Sequence, residues 1–260
     1  MNSSSRGFYF LTNFRIAFID SVLLYVEIRQ KMSFKKLVIL LAFLPLACGV
    51  SKEQPVSEKT AYKYLALGDS YTIGESVCDS CNYPKQLTDS LNKTLNDKTS
   101  VKIIAKTGWT TTDLLSASDA ENPSKDYDFV TLLIGVNNQY QGKPFSLYEK
   151  EFPELLVKAI AFAKGKSENV IVLSIPDYAF TPFGQKSGKA EKVTSELKSY
   201  NKFAEKISNE NGVKFLNITP ITQQGLENAD LVASDGLHPS ELAYQRFVEM
   251  LFKSGLKILR

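Results

Sequence analysis

The sequence predicts an α/β fold in which a single five-stranded parallel sheet carries helices on both faces. Three observations point there. Five short β-branched or apolar runs recur along the chain, longer amphipathic segments lie between them, and several runs end in a small-residue turn with one polar side chain. With 260 residues, 43% of them hydrophobic, the chain can bury one full core with extensions to spare.

The candidate strands are residues 64–67, 101–105, 129–134, 170–175 and 214–217. Leu87, Leu91 and Leu95 recur every fourth residue after the first, and Leu155, Ala159 and Ala163 repeat that spacing before the fourth. Residues 189–211 form a long amphipathic run with Leu197, Tyr200, Phe203, Ala204 and Ile207 on one side, and Gly212 stands where a helix would stop. A last helix is expected over residues 240–256, opened by Pro239 in its first turn. Strands that alternate with helices need crossover connections, so the sheet should be parallel and covered on both faces. There is no internal repeat and no second domain in this pattern.

The N-terminal region reads as an address rather than a fold. From Met32 come a basic stretch, the ten-residue apolar run LVILLAFLPL, and Ala47 before Cys48. That is the layout of a bacterial export signal, and the run is too short to span a bilayer, which takes roughly 20 residues. Charged Arg15, Asp20, Glu27 and Arg29 interrupt the apolar stretches ahead of it, so residues 1–31 read as a mis-assigned extension with the true start at Met32. The segment around Cys48 resembles a lipoprotein lipobox, in which the cysteine is acylated, although Pro45 and Leu46 depart from the usual residues. The alternative is ordinary cleavage after Ala47, leaving a periplasmic or secreted protein. The expected organisation is an extension over 1–31, a signal peptide over 32–47, a polar tether over 48–61 and one globular domain over 62–260.

Charge excludes one class of partner. The formal net charge is +3, but residues 1–47 hold six Lys/Arg against two Asp/Glu, leaving 25 against 26 in the remainder. A nearly neutral body without a basic block argues against nucleic-acid binding. Cys78 and Cys81 remain once Cys48 is set aside. In an exported protein that pair favours a disulfide, and one histidine in the whole chain is too few for a zinc site.

The chemistry gathers where strands end. After the first run comes Gly68-Asp69-Ser70-Tyr71-Thr72; after the second, Thr107-Gly108-Trp109; after the third, Gly135-Val136-Asn137-Asn138. Just before the last helix comes Asp235-Gly236-Leu237-His238-Pro239. Functional groups of open α/β sheets collect at these carboxyl ends. A serine hydroxyl needs a base to take its proton, and His238 is the one imidazole available. Asp235, three residues earlier, is suited to hold that ring in the right tautomer. The G-x-S-x-G elbow of α/β-hydrolases is absent, since Thr72 stands where its second glycine would be.

These four blocks, in this order over residues 64–247, resemble those of the SGNH (GDSL) hydrolase family. The resemblance implies a flavodoxin-like three-layer α/β/α sandwich. It also implies Ser70, Asp235 and His238 as catalytic residues, and an oxyanion hole from the Ser70 and Gly108 backbone N–H groups and the Asn137 side chain. The third block usually reads G-x-N-D; Asn138 replaces its aspartate, and adjusted loop hydrogen bonding is expected there rather than lost activity. Neither a metal nor an organic cofactor is implied. The expected partner is a small-molecule, lipid or carbohydrate ester, with membrane attachment through Cys48 if it is acylated. Tyr140, Phe145, Tyr178, Phe180 and Phe183, in the loops after the third and fourth strands, are the candidate substrate contacts. The family spans esterases, thioesterases, lysophospholipases and carbohydrate deacetylases, and the lack of a large apolar lid favours small or short-acyl esters. An O-acetyltransferase with the same triad, a cysteine nucleophile and a non-catalytic binding lipoprotein are the competing readings.

Overall fold

A computed structural model describes residues 60–260; the expected extension, signal segment, lipidation site Cys48 and nearly all of the tether lie outside the described residues. The five strands are β1 (Thr60–Gly68), β2 (Lys98–Ala105), β3 (Phe129–Leu133), β4 (Val170–Leu173) and β5 (Lys214–Leu216). All are parallel, in the order β2-β1-β3-β4-β5. β1 begins four residues earlier than its apolar run suggests, because residues 60–63 pair with residues 98–100 of β2 across an irregularity between Thr60 and Tyr62.

The central strands are buried on both faces. Residues 64–67 of β1 and all five residues of β3 are sealed from solvent, as a sheet sandwiched between two helical layers requires. Helix α1 (Ser70–Ile73) is a single turn directly after β1, and α2 (Tyr83–Asn92) follows it. The remaining helices are α3 (Thr111–Glu121), α4 (Val136–Tyr140), α5 (Phe145–Phe162), α6 (Pro182–Lys186), α7 (Ala190–Glu210), α8 (Thr219–Thr222) and α9 (Glu241–Leu259).

Helices α2 and α9 pack together and against β2 and β3, while α3, α5 and α7 form a second group that also reaches β3 and β5. On the α2/α9 side, Tyr64 stacks on Phe129 with ring centroids 4.7 Å apart. The Tyr64 hydroxyl and the Tyr83 hydroxyl share the side chain of Thr131, at 2.7 and 3.2 Å, so the buried polar tips are satisfied. Between α5 and α7, Tyr148 packs on Tyr200 at 4.5 Å and on Phe152 at 5.2 Å.

Two expectations are corrected. Pro239 does not occupy the first turn of α9; it precedes the cap and forms an isolated antiparallel bridge with Val232. Ser240 caps the helix instead, because its Oγ can accept the Ala243 N–H at 3.2 Å, a bond proline cannot offer. The Leu87/Leu91/Leu95 periodicity also overshoots: α2 ends at Asn92, and Leu95 lies beyond its cap, its N–H still donating to the Leu91 carbonyl at 2.8 Å.

Candidate active site

The chain leaves β1 towards β2 on one side and returns to β3 on the other, so the carboxyl ends of β1 and β3 border the point where the winding reverses. In open α/β sheets the ligand crevice lies at such a point. Gly68 ends β1 because nothing larger fits: a Cβ there would lie 2.1 Å from Thr72 Oγ1 and 2.4 Å from the Leu133 carbonyl oxygen. Asp69 then caps α1, its Oδ1 accepting the Tyr71 N–H at 3.0 Å. Ser70 is the first residue of that turn, 5% exposed. Its N–H is one of the first-turn donors that a helix leaves without an internal acceptor.

Asp69 is fully buried, and its Oδ2 has no hydrogen-bond partner among the described residues. Burial drives its pKa up to about 7 against the lowering effect of the Tyr71 N–H and its own backbone.

Asp235 and His238 come from the loop before α9. Asp235 Oδ2 lies 2.6 Å from His238 Nδ1, while its Oδ1 accepts the backbone N–H groups of Leu237 and His238 at 2.9 and 3.0 Å. Ser76, from the loop after α1, donates its hydroxyl to Asp235 Oδ2 at 2.7 Å. Burial alone would raise the Asp235 pKa; bonds from His238, Ser76 and the two backbone groups outweigh it and hold the carboxyl at about 2. The His238 ring meets Tyr71, the neighbour of Ser70, edge-on with centroids 5.7 Å apart. Ser76–Asp235 and Tyr71–His238 are therefore two clasps between the Ser70 segment and the last loop.

The other two expected donors, Gly108 and Asn137, follow β2 and β3. Gly108 has φ +84, in the left-handed region, although a Cβ there would meet nothing within 4 Å. Backbone conformation, rather than crowding, is the reason for glycine. The Gly108 and Trp109 carbonyls are held by side chains of α4 and its C-cap, from Gln141 Nε2 and Asn137 Nδ2 respectively, each at 3.0 Å. Asn137 thus spends one amide hydrogen on orienting itself and keeps a second. Gly135, before α4, has φ +126, and a Cβ there would press 2.6 Å from Tyr148 Cε2.

Asn138 is completely buried and ties the same loop down. Its Oδ1 accepts the Thr111 N–H at 2.9 Å and its Nδ2 meets Thr111 Oγ1 at 2.7 Å, while Thr111 and Thr112 both donate to Glu151. Cys78 and Cys81 are disulfide-bonded, which leaves neither as a free thiol. Of the expected aromatic contacts, Tyr140, Phe145, Tyr178 and Phe183 line one groove of about 910 Å³ beside this site. Phe180 does not; it packs against the core. Sequence reasoning missed Ser76 and Tyr71, and no motif marks either.

A parallel five-stranded sheet with a serine at the first strand end and a bonded His–Asp pair before α9 has the parts that serine acyl-transfer chemistry needs. The sequence model of the GDSL-like lipase/acylhydrolase family matches residues 66–246, and the chain belongs to that family. It is a carboxylic ester hydrolase of the SGNH/GDSL type. Solved structures share the fold at low identity. A member of the lipolytic G-D-S-L family from Veillonella parvula aligns with TM-score 0.57 and 16% identity, covering 74% of this chain and 97% of that one. An acetyl xylan esterase from Geobacillus stearothermophilus gives 0.57 and 17%, covering 75% and 94%. A lipase/acylhydrolase from Enterococcus faecalis gives 0.55 and 18%, covering 74% and 94%. No curated protein matches the sequence.

Proposed function

We propose that the protein hydrolyses small or short-acyl esters through an acyl-enzyme, with Ser70 as nucleophile, His238 as general base and Asp235 as the carboxylate that orients the ring. The observation that carries this reading is the 2.6 Å His238–Asp235 contact on a ring that packs against the neighbour of Ser70. His238 Nε2 takes the Ser70 proton as Oγ bonds to the ester carbonyl carbon, and the imidazolium returns that proton to the departing alkoxide. Water, deprotonated by the same nitrogen, then releases the acid. The Ser70 N–H, Gly108 N–H and Asn137 amide receive the carbonyl oxygen as it gains charge, and losing one such donor costs about 10²–10³ in turnover.

The preference for a small acyl group rests on the sequence, which offers no large apolar lid. The acetyl xylan esterase among the structural neighbours is in keeping with that preference. The test is a series of p-nitrophenyl esters of increasing chain length. Wild type should prefer acetate and Ser70→Ala should fall by about 10³ or more. No hydrolysis by wild type sinks the hydrolase reading, equal rates sink the role of Ser70, and transfer to an added sugar in preference to water identifies an acetyltransferase.

The same proposal includes export and acylation of Cys48, resting on the signal-like residues 32–47. Incorporation of labelled palmitate that disappears in Cys48→Ala would support it, and a soluble mature protein beginning at Cys48 would overturn it.

A further inference from the structure

The groove of about 910 Å³ that opens next to the site carries an uneven charge. Lys143, Lys186, Lys189 and Lys192 stand around it with Glu196 as their one carboxylate. Lys143, Lys186 and Lys189 make no ion pair among the described residues. Lys192 approaches Glu196 at 3.7 Å, but Glu196 is also engaged by Gln139 Nε2 at 2.8 Å. From Cys48 onward the sequence holds 25 basic and 26 acidic residues, so this concentration is local. Four ammonium groups about one concavity raise the local concentration of anions.

The floor of the groove is aromatic and accessible. Tyr140 is 58% exposed, yet its ring is fixed edge-on to Tyr178 at 6.0 Å and tilted against Phe183 at 6.1 Å. An exposed ring held in place by two others offers a flat apolar face at little entropic cost. The groove lies next to the reaction centre. Tyr178 lines both it and the small recess beside His238, and its hydroxyl donates at 2.9 Å to Gln139, two residues after Asn137.

The recess beside His238 is far smaller than the groove, so of the two only the groove has room for a bulky alcohol half. We infer that the groove holds the alcohol half and that this half is an acidic oligosaccharide, its sugar faces on Tyr140 and Phe183 and its carboxylates among the four lysines. This assignment rests on the hydrolase reading above and names its substrate class. An anionic lipid is the weaker fit, because its long acyl chain would have to lie along a rim of ammonium groups.

Binding tests the groove independently of catalysis. Calorimetry with unesterified tetragalacturonate and with neutral xylotetraose should show the acidic sugar bound more tightly, by about tenfold, with the advantage lost near about 0.5 M NaCl. Lys186→Glu/Lys189→Glu should abolish the preference. The control Lys206→Glu/Lys253→Glu, with the same charge change outside the groove, should keep it, and circular dichroism checks that both variants fold. Equal binding of the two sugars, or a preference that survives in the groove variant, overturns the inference. Activity on acetylated oligogalacturonate, acetylated xylo-oligosaccharide, p-nitrophenyl acetate and lysophosphatidylglycerol micelles separates the two levels. Failure on every ester, with the acidic sugar still bound, removes the hydrolase reading and leaves the groove assignment standing. Hydrolysis of p-nitrophenyl acetate without preference for the acidic sugar, or preferential hydrolysis of the lipid, removes the groove assignment alone.

Discussion

Thr111 stands between two side chains that both engage its hydroxyl, and this explains the asparagine at 138. The Thr111 hydroxyl proton goes to Glu151 Oε2, at 2.5 Å, so its lone pair must accept from Asn138 Nδ2 at 2.7 Å. A carboxylate at 138 would supply a second acceptor where a donor is needed, in a fully buried position next to Glu151. Asn138→Asp should therefore destabilise the fold by about 2–3 kcal/mol, read as a melting temperature lower by roughly 5–10 °C. It should also lower kcat, because the loop that carries Gly108 is tied to α4 through this pair. Asp69 makes a second prediction at this scale. Its ordinary pKa is 3.8 and burial lifts it to about 7 in the fold, so the native state favours the protonated acid. The stability this contributes is complete below about pH 4 and is lost as pH rises through about 7. Asn keeps the Oδ1 acceptor for the Tyr71 N–H without the charge. Asp69→Asn should thus be more heat-stable than wild type at pH 8, with the gain shrinking steadily towards pH 4; a gain independent of pH would contradict the burial argument.

At the scale of elements, the turn from α1 to α2 reaches Asp235, the partner of His238, from outside their loop. Asn82, 3% exposed, caps α2 through its Oδ1 and donates to the Ile73 and Asp79 carbonyls, and Cys78–Cys81 closes the same turn. Ser76, the hydroxyl donor to Asp235, rides on it. Replacing both cysteines by serine should cost about 2 kcal/mol by the chain-entropy estimate for so short a loop. It should also lower kcat several-fold with KM little changed, because Ser76 loses its placement; unchanged kcat would show that the turn does not position the base. The strands were legible because their runs are apolar and short. The ends were less so: β1 starts in polar Thr60, where pairing with β2 rather than burial decides the conformation. Helix α3 escapes periodicity altogether, since its buried positions are Thr111, Leu114 and Ser118, a face too small and polar to register as apolar. Its signal was a capping box, Thr110 with Asp113, which local pattern reading by hydrophobicity does not weigh. Of the site, the serine, histidine, aspartate and oxyanion candidates were visible because their residue types announce their chemistry. Ser76 and the Tyr71 ring were not, because a serine at φ +66 and a tyrosine in a helical turn acquire meaning only when residues more than 150 positions away fold against them.

The whole molecule depends on its last helix. Ala243, Tyr244, Phe247 and Leu251 of α9 are buried, and Tyr244 packs near Tyr83 of α2 while α9 also reaches β3. Truncation before Glu241 would bare this face of the sheet and leave the Asp235–His238 loop without the helix that anchors it. Such a chain should show no cooperative thermal transition and no esterase activity, and a truncated protein that melts cooperatively would contradict this view of the core. The order of the parts along the chain has a further effect. Ser70 is synthesised well before His238, and the Ser76–Asp235 clasp spans 159 positions. On the proposed roles, a chain interrupted between Ser70 and His238 carries a serine without its base and should be inert, so docking of the Asp235–His238 loop is itself the activation step.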